Sequence, residues 1–365
     1  MQRIATGYVD AQHPKAIDAD LYRRYSETLR KAVELVGVDE TLQDRWMANV
    51  SRFAAYKAAD ATRRIAEAVM ENGALDDGLN PLHAHRRYLA AEANTARTRA
   101  RTGKQWQQFN DADRRRLFPN LRWVPSRSAM PREAHQLFWD KVWAKDDPFW
   151  QRNQPGTLWN CKCDWEETDD PVSTDEEKKL PNGRSVDDYT IKVRGLDGNP
   201  AETGQIFSDT PEKRIHPDPN DPDLSHPLFA KAPQGMDTIV KQTVREIFRQ
   251  EHANDLIEFN TTIGKIIYDS ISVKEISKGA KTDASYFYKL EIAQHLDRYI
   301  DKMTLVNPSE PIDLSHNNHK SIFFQRKKLF SHMRVYSLNL HNFNFIIKMG
   351  EYVDGSLNLY AITEP

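Results

Sequence analysis

The chain contains two cysteines, Cys161 and Cys163, separated by a single residue. Two cysteines this close in sequence are badly placed for a mutual disulfide, so a reduced compartment or a bound metal accounts for them better. Together with His135, and with Asp146 or Asp147, they could form a zinc site, because thiolate and imidazole ligands suit a tetrahedral ion. Their spacing is not that of a standard zinc finger. A structural zinc ion is one hypothesis for this region, and a metal-dependent nuclease is a variant of it.

A second interpretation of the same residues is purely structural and needs no cofactor. The two cysteines would alternate on a strand, with one of them facing a tryptophan-rich core. Arg132 and His135 would then form hydrogen bonds to the DDPFW turn at 146–150. Both interpretations remain open at the level of the sequence.

Half of the twelve histidines lie in the last third of the chain: His252, His295, His316, His319, His332 and His341. The stretch between Asp313 and Glu351 contains no acidic residue. It carries six basic ones: Lys320, Arg326, Lys327, Lys328, Arg334 and Lys348. A basic surface with histidines is suited to RNA cleavage without a metal. One imidazole takes the proton of the 2′-hydroxyl, a second acid protonates the leaving oxygen, and Lys or Arg stabilises the phosphorane. The alternative is that these are ordinary exposed strand and loop residues.

A basic stretch in the first half of the chain suggests a different chemistry. Positions 97 to 127 carry nine basic residues against only Asp111 and Asp113. The candidates for phosphate contacts are Arg97, Arg101, Lys104, Arg114, Arg115 and Arg116. Such a surface could neutralise the phosphates of DNA or RNA without base specificity. The alternative is a solvated helix face that pairs with acids of neighbouring subunits.

The N-terminal part of the chain, which carries the basic stretch, is expected to be mostly α-helical. Apolar and small residues recur at steps of three and four from Asp39 to Asn72, which predicts a long amphipathic helix ending at Asn72-Gly73. Further helices are predicted at 19–36 and from 81 to about 106. Between 121 and 165 the helical periodicity fails and Trp, Pro and Asp are frequent. This composition, without helical periodicity, predicts an irregular, aromatic-rich α+β subdomain with short strands.

The run 210–233 is rich in proline and charge, and it predicts a linker between two domains, 1–209 and 234–365. Beyond it we predict helices at 237–248 and 286–303, and strands at 268–276, 333–340, 343–349 and 357–363, with turns at Asn342 and Asp354-Gly355. The expected fold is a mostly α-helical N-terminal domain with its aromatic-rich subdomain, and a small α+β C-terminal domain. In the latter an antiparallel sheet carries a helix on one face.

Composition limits the class of protein. The formal net charge is -2, and no stretch approaches the roughly 20 consecutive apolar residues of a membrane span. The first residues, MQRIATGYVDAQHPK, have no apolar core that could act as a secretion signal. We therefore expect no membrane partner and a protein present in the cytoplasm where it is made.

Several motifs occur in a defined order: WVPSRSAMPREAH, DDPFWQRNQPGTLWNCKCDW, GLDGNPAETGQIFSD and HPLF. They follow the helical segments NVSRFAAYKAADATRRIAEAV and YLAAEANTARTRARTGKQW. The series, over roughly residues 20 to 230, resembles the phage Mu F-like minor head (head morphogenesis) family. The family's motif residues correspond here to Arg132, His135, Trp150, Cys161 and Cys163. The chain departs from the family pattern at SRSAM and at PGTLW.

This resemblance implies a place in the virion and in the host cytoplasm during assembly. It implies portal and capsid proteins as partners, and a position close to packaged DNA. The basic stretch would then lie near nucleic acid.

The run FSHMRVYSLNLHNFNFIIKMGEYVDGSLNLYAIT near the C-terminus resembles the terminal sheet of barnase–EndoU–colicin–RelE-like nuclease domains attached to phage head proteins. The resemblance covers about the last 110 residues. It implies a metal-independent, toxin-like RNase with an immunity protein as a partner. The candidate catalytic residues are His332, Lys348, His319, Lys320, His316, His295, Lys278 and Lys281. The alternative is a purely structural virion protein whose C-terminal domain is a non-catalytic nucleic-acid-binding or packing module.

Overall fold

The computed structural model describes residues 17–72, 81–131, 133–191, 193, 195–208, 236–278, 280–314, 322–340 and 342–365. The chain divides into two compact units, Met1–Met236 and Asp237–Pro365. The predicted linker at 210–233 lies outside the described residues. No helix among the described residues is long and apolar enough to span a membrane.

Three long helices open the first unit: α1 (Ala19–Glu34), α2 (Glu40–Asn72) and α3 (Pro81–Phe109). All three were predicted, because their apolar residues recur with helical periodicity. Asp18 begins α1 by accepting a hydrogen bond from the Leu21 N–H at 3.0 Å. Gly103 lets α3 approach α2 closely, since a Cβ there would lie 2.8 Å from the ring of Trp46.

The aromatic-rich subdomain follows, with α4 (Ala112–Leu117), β1 (Asn120–Val124), α5 (Glu133–Gln136), β2 (Val142–Ala144), α6 (Phe149–Arg152) and β3 (Asp164–Thr168). Its strands form an antiparallel sheet in the order β2-β1-β3, which confirms the predicted short strands. The core beneath the sheet is largely aromatic and includes Trp123, Phe138, Trp143, Phe149, Trp150 and Trp165. A short helix, α7 (Pro200–Thr203), lies in the last described segment of this unit.

The second unit contains α8 (Met236–Glu251), β4 (Leu256–Thr261), β5 (Gly264–Asp269), α9 (Ser270–Ile276), α10 (Asp283–Gln294), a 3₁₀ helix (Leu296–Lys302), β6 (Met303–Glu310), α11 (Ile322–Lys327), β7 (Phe330–Leu340), β8 (Phe343–Tyr352) and β9 (Leu357–Thr363). The sheet order is β4-β5-β9-β8-β7-β6. The three predicted C-terminal strands are confirmed as antiparallel neighbours. The α+β layout is therefore as expected.

Three details of the second unit differ from the prediction. The strand expected at 268–276 ends at Asp269, because the Asp269 side chain accepts hydrogen bonds from the Ile271 and Ser272 N–H groups and begins a helix. β4 and β6 were not predicted, and β5 pairs with β9 in parallel, so the sheet is mixed. The helix expected at 286–303 breaks at His295, where φ is -130° and ψ is 38°.

Register defines two faces of β7 and β8. Tyr336 pairs with Ile347 and Leu338 pairs with Phe345, and all four side chains are buried. Tyr288 of α10 packs against Phe345 with ring centroids 6.0 Å apart. We call this the helix face, and the opposite side of the same strands the far face.

Candidate functional site

His135, Cys161 and Cys163 meet inside the aromatic-rich subdomain. His135 lies on α5, and the two cysteines lie just before β3. One ligand atom from each of the three buried side chains lies within 4.8 Å of the others. Among the described residues, Asp146 and Asp147 do not join this group, and Asp147 instead accepts a backbone N–H at the start of α6 at 2.8 Å. The proposed carboxylate ligand is therefore not supplied by either aspartate.

A tight turn brings Cys161 to the histidine. Asn160 adopts the left-handed conformation with φ of 59°, which asparagine tolerates better than most residues. The turn is attached to α3, because the Asn160 N–H donates to the Thr95 hydroxyl at 2.8 Å and the Thr98 hydroxyl donates to the Cys161 carbonyl at 3.2 Å. Helix packing thus fixes the position of the thiol.

Hydrogen bonds determine which nitrogen of His135 faces the thiols. The Thr157 hydroxyl donates to the Gln154 carbonyl at 2.8 Å, so its oxygen is left to accept from the Nε2–H of His135 at 3.2 Å. In the neutral imidazole Nδ1 then carries a lone pair, and it lies 3.2 Å from Sγ of Cys161. The histidine therefore contacts a thiol and not the turn at 146–150, which corrects the structural interpretation of the sequence. Arg132 lies outside the described residues.

The two thiols differ in acidity. The hydrogen bond from Cys161 lowers the pKa of Cys163 to about 5 despite burial, and His135 adds to the lowering. The same hydrogen bond, together with burial, raises the pKa of Cys161. The buried indole N–H of Trp123 lacks a conventional acceptor in the described structure and also favours the Cys163 thiolate. The two pKa shifts therefore have opposite directions, and Cys163 is the more acidic of the two thiols.

Half of the predicted nucleic-acid-binding residues are engaged within the first unit. Arg101 pairs with Asp164 at 3.1 Å, and Arg114 pairs with Glu167. Lys104 donates to the backbone carbonyl of residue 36 at 2.9 Å. These three side chains are less available to phosphates than the sequence indicated, because contact with nucleic acid would compete with their present partners.

The remaining basic candidates are exposed. Arg116 pairs with Asp113 at 3.2 Å, but both side chains are more than three-quarters exposed, so solvent screens the pair. Arg97 and Arg115 are exposed and have no ion pair among the described residues. Among the six candidates, the positive charge available to phosphates is therefore concentrated in three arginines: Arg97, Arg115 and Arg116.

Arg99, in the middle of the basic stretch, has a structural role. It is 1% exposed, and its guanidinium donates to four backbone carbonyls of the GLDGNPAETGQIFSD segment: Leu196, Asp197, Gly198 and Ile206. Burial lowers the pKa of Arg99 to about 10, against the opposing effect of Asp197. A sequence signal existed, because Arg99 follows Glu92 and Ala96 at helical spacing on the buried side of α3.

His332 lies on the helix face, at the end of the sheet where β7 begins. Its Nε2 is 3.0 Å from Oε2 of Glu351 on β8, and Arg334 donates to the same carboxylate oxygen. The hydroxyl of Ser331 lies 3.0 Å from the other ring nitrogen. An imidazole, a carboxylate and a guanidinium thus share one end of one face.

Lys348 lies on the far face. It pairs with Val335 in the register, whereas His332 pairs with Glu351 three residues further along β8. Side chains alternate between faces, so His332 and Lys348 point to opposite sides of the sheet. Lys348 instead forms an ion pair with Glu310 of β6 at 2.8 Å. The structure therefore does not bring together the two residues that the sequence placed in one cleft.

The other candidate catalytic residues are spread over the second unit. His295 ends α10. Lys278 pairs with Glu275 in the connection after α9, and Lys281 binds the backbone of the C-terminal residue. His316, His319 and Lys320 lie outside the described residues.

Three further charged residues of the second unit were not among the candidate catalytic residues. Glu351 and Arg334 complete the cluster around His332, and Arg326 forms an ion pair with Asp269 that is mostly buried. Burial alone would raise the pKa of Asp269, but Arg326 and two backbone N–H groups lower it below its ordinary value. His332 and Glu351 are neighbours because of the register between β7 and β8, and this register cannot be read directly from the sequence.

Comparisons with known proteins give one similarity. No family model matches the chain, and no solved structure matches it. A segment of 112 residues is 30% identical to the "Putative capsid assembly protein F" of Escherichia phage Mu. The segment covers 30% of this chain and 24% of that protein, so the chain matches about a quarter of the length of its curated relative.

Proposed function

We propose that this chain is a phage head protein that takes part in capsid assembly. The observation that carries the proposal is the 112-residue similarity to a phage Mu protein named for capsid assembly. The ordered motifs of the first unit, with the GLDGNPAETGQIFSD segment held by Arg99, support it. The proposed location is the virion, with portal and capsid proteins as partners, and the host cytoplasm during assembly.

Particle composition tests this proposal. The full chain is expressed with the portal and major capsid proteins of its own phage, and procapsids are separated on a gradient. We expect the chain to sediment with the particles and to remain after a high-salt wash. A chain that stays at the top of the gradient, while the other two proteins assemble, would remove the proposal.

A second activity is proposed for Asp237–Pro365, namely RNA cleavage without a metal. The specific observation is the cluster of His332, Glu351 and Arg334 on the helix face. The Glu351 carboxylate would take the 2′-hydroxyl proton as the 2′-oxygen attacks phosphorus. The His332 imidazolium would protonate the departing 5′-oxygen, and Arg334 would stabilise the phosphorane. The products are a 2′,3′-cyclic phosphate and a 5′-hydroxyl. An immunity protein that covers this cluster is the corresponding partner.

The assay incubates the full chain with tRNA in the presence of EDTA. We expect His332→Ala and Glu351→Gln each to lower cleavage by about a hundredfold or more. Lys348→Ala distinguishes two versions of the site, because a similar loss would support the pairing suggested by the sequence and unchanged cleavage would support the helix-face cluster. His252→Ala is the matched control, since His252 pairs with Asp255 elsewhere in the unit. Absence of cleavage by the wild type would leave the structural alternative, a packing or nucleic-acid-binding module.

Nucleic acid is also a proposed partner of the first unit. The proposal rests on the exposed side chains of Arg97, Arg115 and Arg116. Replacing all three with Ala should reduce the slope of log affinity against log salt by up to about three, because each lost phosphate contact removes about 0.9. Arg101→Ala, at a side chain already paired with Asp164, is the control. An unchanged slope in the triple variant would assign these residues to a solvated surface.

A further inference from the structure

The aromatic-rich subdomain contains a cluster of potential metal ligands that neither proposed activity uses. We propose that His135, Cys161 and Cys163 bind one zinc ion there, through Nδ1 of the histidine and Sγ of both cysteines. The three side chains are buried, and their ligand atoms already lie within 4.8 Å of one another. Zinc–sulfur and zinc–nitrogen bonds of about 2.3 and 2.0 Å require such a separation between ligand atoms.

The orientation of the histidine supports a metal ligand. Thr157 accepts the Nε2–H of His135, and the hydroxyl of Thr157 is itself directed to a carbonyl. A hydrogen bond of this kind to the distal nitrogen fixes the ring and the tautomer of metal-bound histidines. The lone pair of Nδ1 consequently points to the sulfur of Cys161, 3.2 Å away.

The surroundings of the sulfur atoms are suited to thiolates. The backbone N–H of Cys163 donates to Sγ of Cys161 at 3.4 Å. The Trp123 ring packs edge-on to His135 with centroids 5.1 Å apart, and its N–H has no conventional acceptor in the described structure. The backbone N–H stabilises negative charge on Sγ of Cys161 without adding a formal positive charge.

Charge balance also favours zinc. The walls of the cluster are aromatic and aliphatic side chains of the subdomain core. An isolated thiolate would be costly in such surroundings. One divalent ion with two thiolates and a neutral imidazole has no net charge, so the complete site is compatible with an apolar core. Three protein ligands leave one position of a tetrahedral ion for a small ligand such as water.

The site would connect parts of the subdomain that regular secondary structure leaves apart. His135 belongs to a helix of four residues, and the cysteines lie in a loop before β3. A metal bond between them would hold this helix against the loop. Zinc binding would therefore stabilise the subdomain, and it does not depend on the proposed head-protein or RNase activities.

Metal analysis of the full chain, purified without chelator, tests the proposal. We expect about one zinc per chain by mass spectrometry, and below about 0.1 in Cys163→Ser. After removal of zinc, titration with Co²⁺ should give intense visible bands and near-ultraviolet charge-transfer bands of thiolate ligands. His252→Ala should retain the metal, because His252 lies in the other unit beside Asp255.

Thiol counting keeps the test decisive if the serine variant does not fold. The chain has only two cysteines, so every thiol that reacts belongs to this site. We expect both thiols of the native wild type to react slowly with a disulfide reagent, and to react rapidly once a zinc chelator is added. Wild-type protein that binds no metal after incubation with excess zinc would overturn the proposal. A Cys161–Cys163 disulfide in the freshly purified chain, seen as the loss of two hydrogen atoms in the intact mass, would also overturn it.

Discussion

Replacement of Arg99 by methionine should destabilise the first unit strongly. The substitution keeps most of the apolar volume but removes the guanidinium that donates to the carbonyls of Leu196, Asp197, Gly198 and Ile206. Leu196 and Ile206 are 1% and 0% exposed, so water cannot readily replace the lost donors at these two carbonyls. Each unsatisfied buried carbonyl costs about 1–3 kcal/mol. Relief of the buried charge offsets part of this cost, which leaves an expected loss of about 3 kcal/mol.

Urea unfolding followed by tryptophan fluorescence measures this loss. All eight tryptophans precede residue 166, so the signal reports on the first unit alone. With a slope of roughly 3 kcal/mol per molar urea, the midpoint should fall by about 1 M. Arg97→Met is the matched control, because it makes the same substitution two residues earlier on α3 at an exposed side chain, and its effect should stay within about 0.5 kcal/mol.

Two results would refute the reasoning on Arg99. Equal midpoints for the two variants would show that the four hydrogen bonds contribute nothing net to stability. Unchanged proteolytic resistance of the segment 195–208 in Arg99→Met would show that the guanidinium does not hold this segment. A stability loss with a newly cleaved segment would support both points.

Three further predictions concern buried pairs and close packing. Glu167→Gln should destabilise the first unit by about 3 kcal/mol, because it leaves the ammonium of Lys145 buried without its carboxylate partner. Glu166→Gln, at the exposed neighbouring residue, should cost less than about 1 kcal/mol in the same urea assay. The pKa of Asp269 is lowered in the folded state, so its charged form stabilises the second unit fully above about pH 4 and this contribution is lost as the pH falls further. Asp269→Asn should therefore lower the stability of the second unit at neutral pH, and the difference in stability between variant and wild type should shrink as the pH falls. Circular dichroism measures this, because the second unit has no tryptophan and its unfolding is not seen by tryptophan fluorescence. Gly350→Ala should destabilise the second unit in the same transition, because a Cβ there would overlap the aromatic ring of Phe330 on β7. Wild-type stability of this variant would show that the ring is free to move.

Much of the secondary structure in both units could be predicted from the sequence. The long helix predicted at 39–72 is observed as Glu40–Asn72, because its apolar side chains recur with a period that only a helix can align on one buried face. The strands at 333–340, 343–349 and 357–363 were found for the corresponding reason, since alternation and turn residues are local signals. β4 and β6 were missed because they are edge strands with many exposed residues, so they carry little of the hydrophobic pattern on which prediction depends.

The candidate site was partly accessible to the same reasoning. The sequence selected His135, Cys161 and Cys163 as one group, since their chemistry suits a common ligand. It also identified a basic stretch and a histidine-bearing sheet. These conclusions depend on residue type and on short spacings, both of which are written in the chain itself.

Only the tertiary structure decided how these groups are used. Register placed His332 and Lys348 on opposite faces and brought His332 to Glu351. Packing separated the buried Arg99 from the exposed Arg97 two residues away. The physical reason is common to all of these cases: the energy of a charged or nucleophilic side chain depends on burial and on partners distant in sequence, and neither is determined until helices and strands have packed.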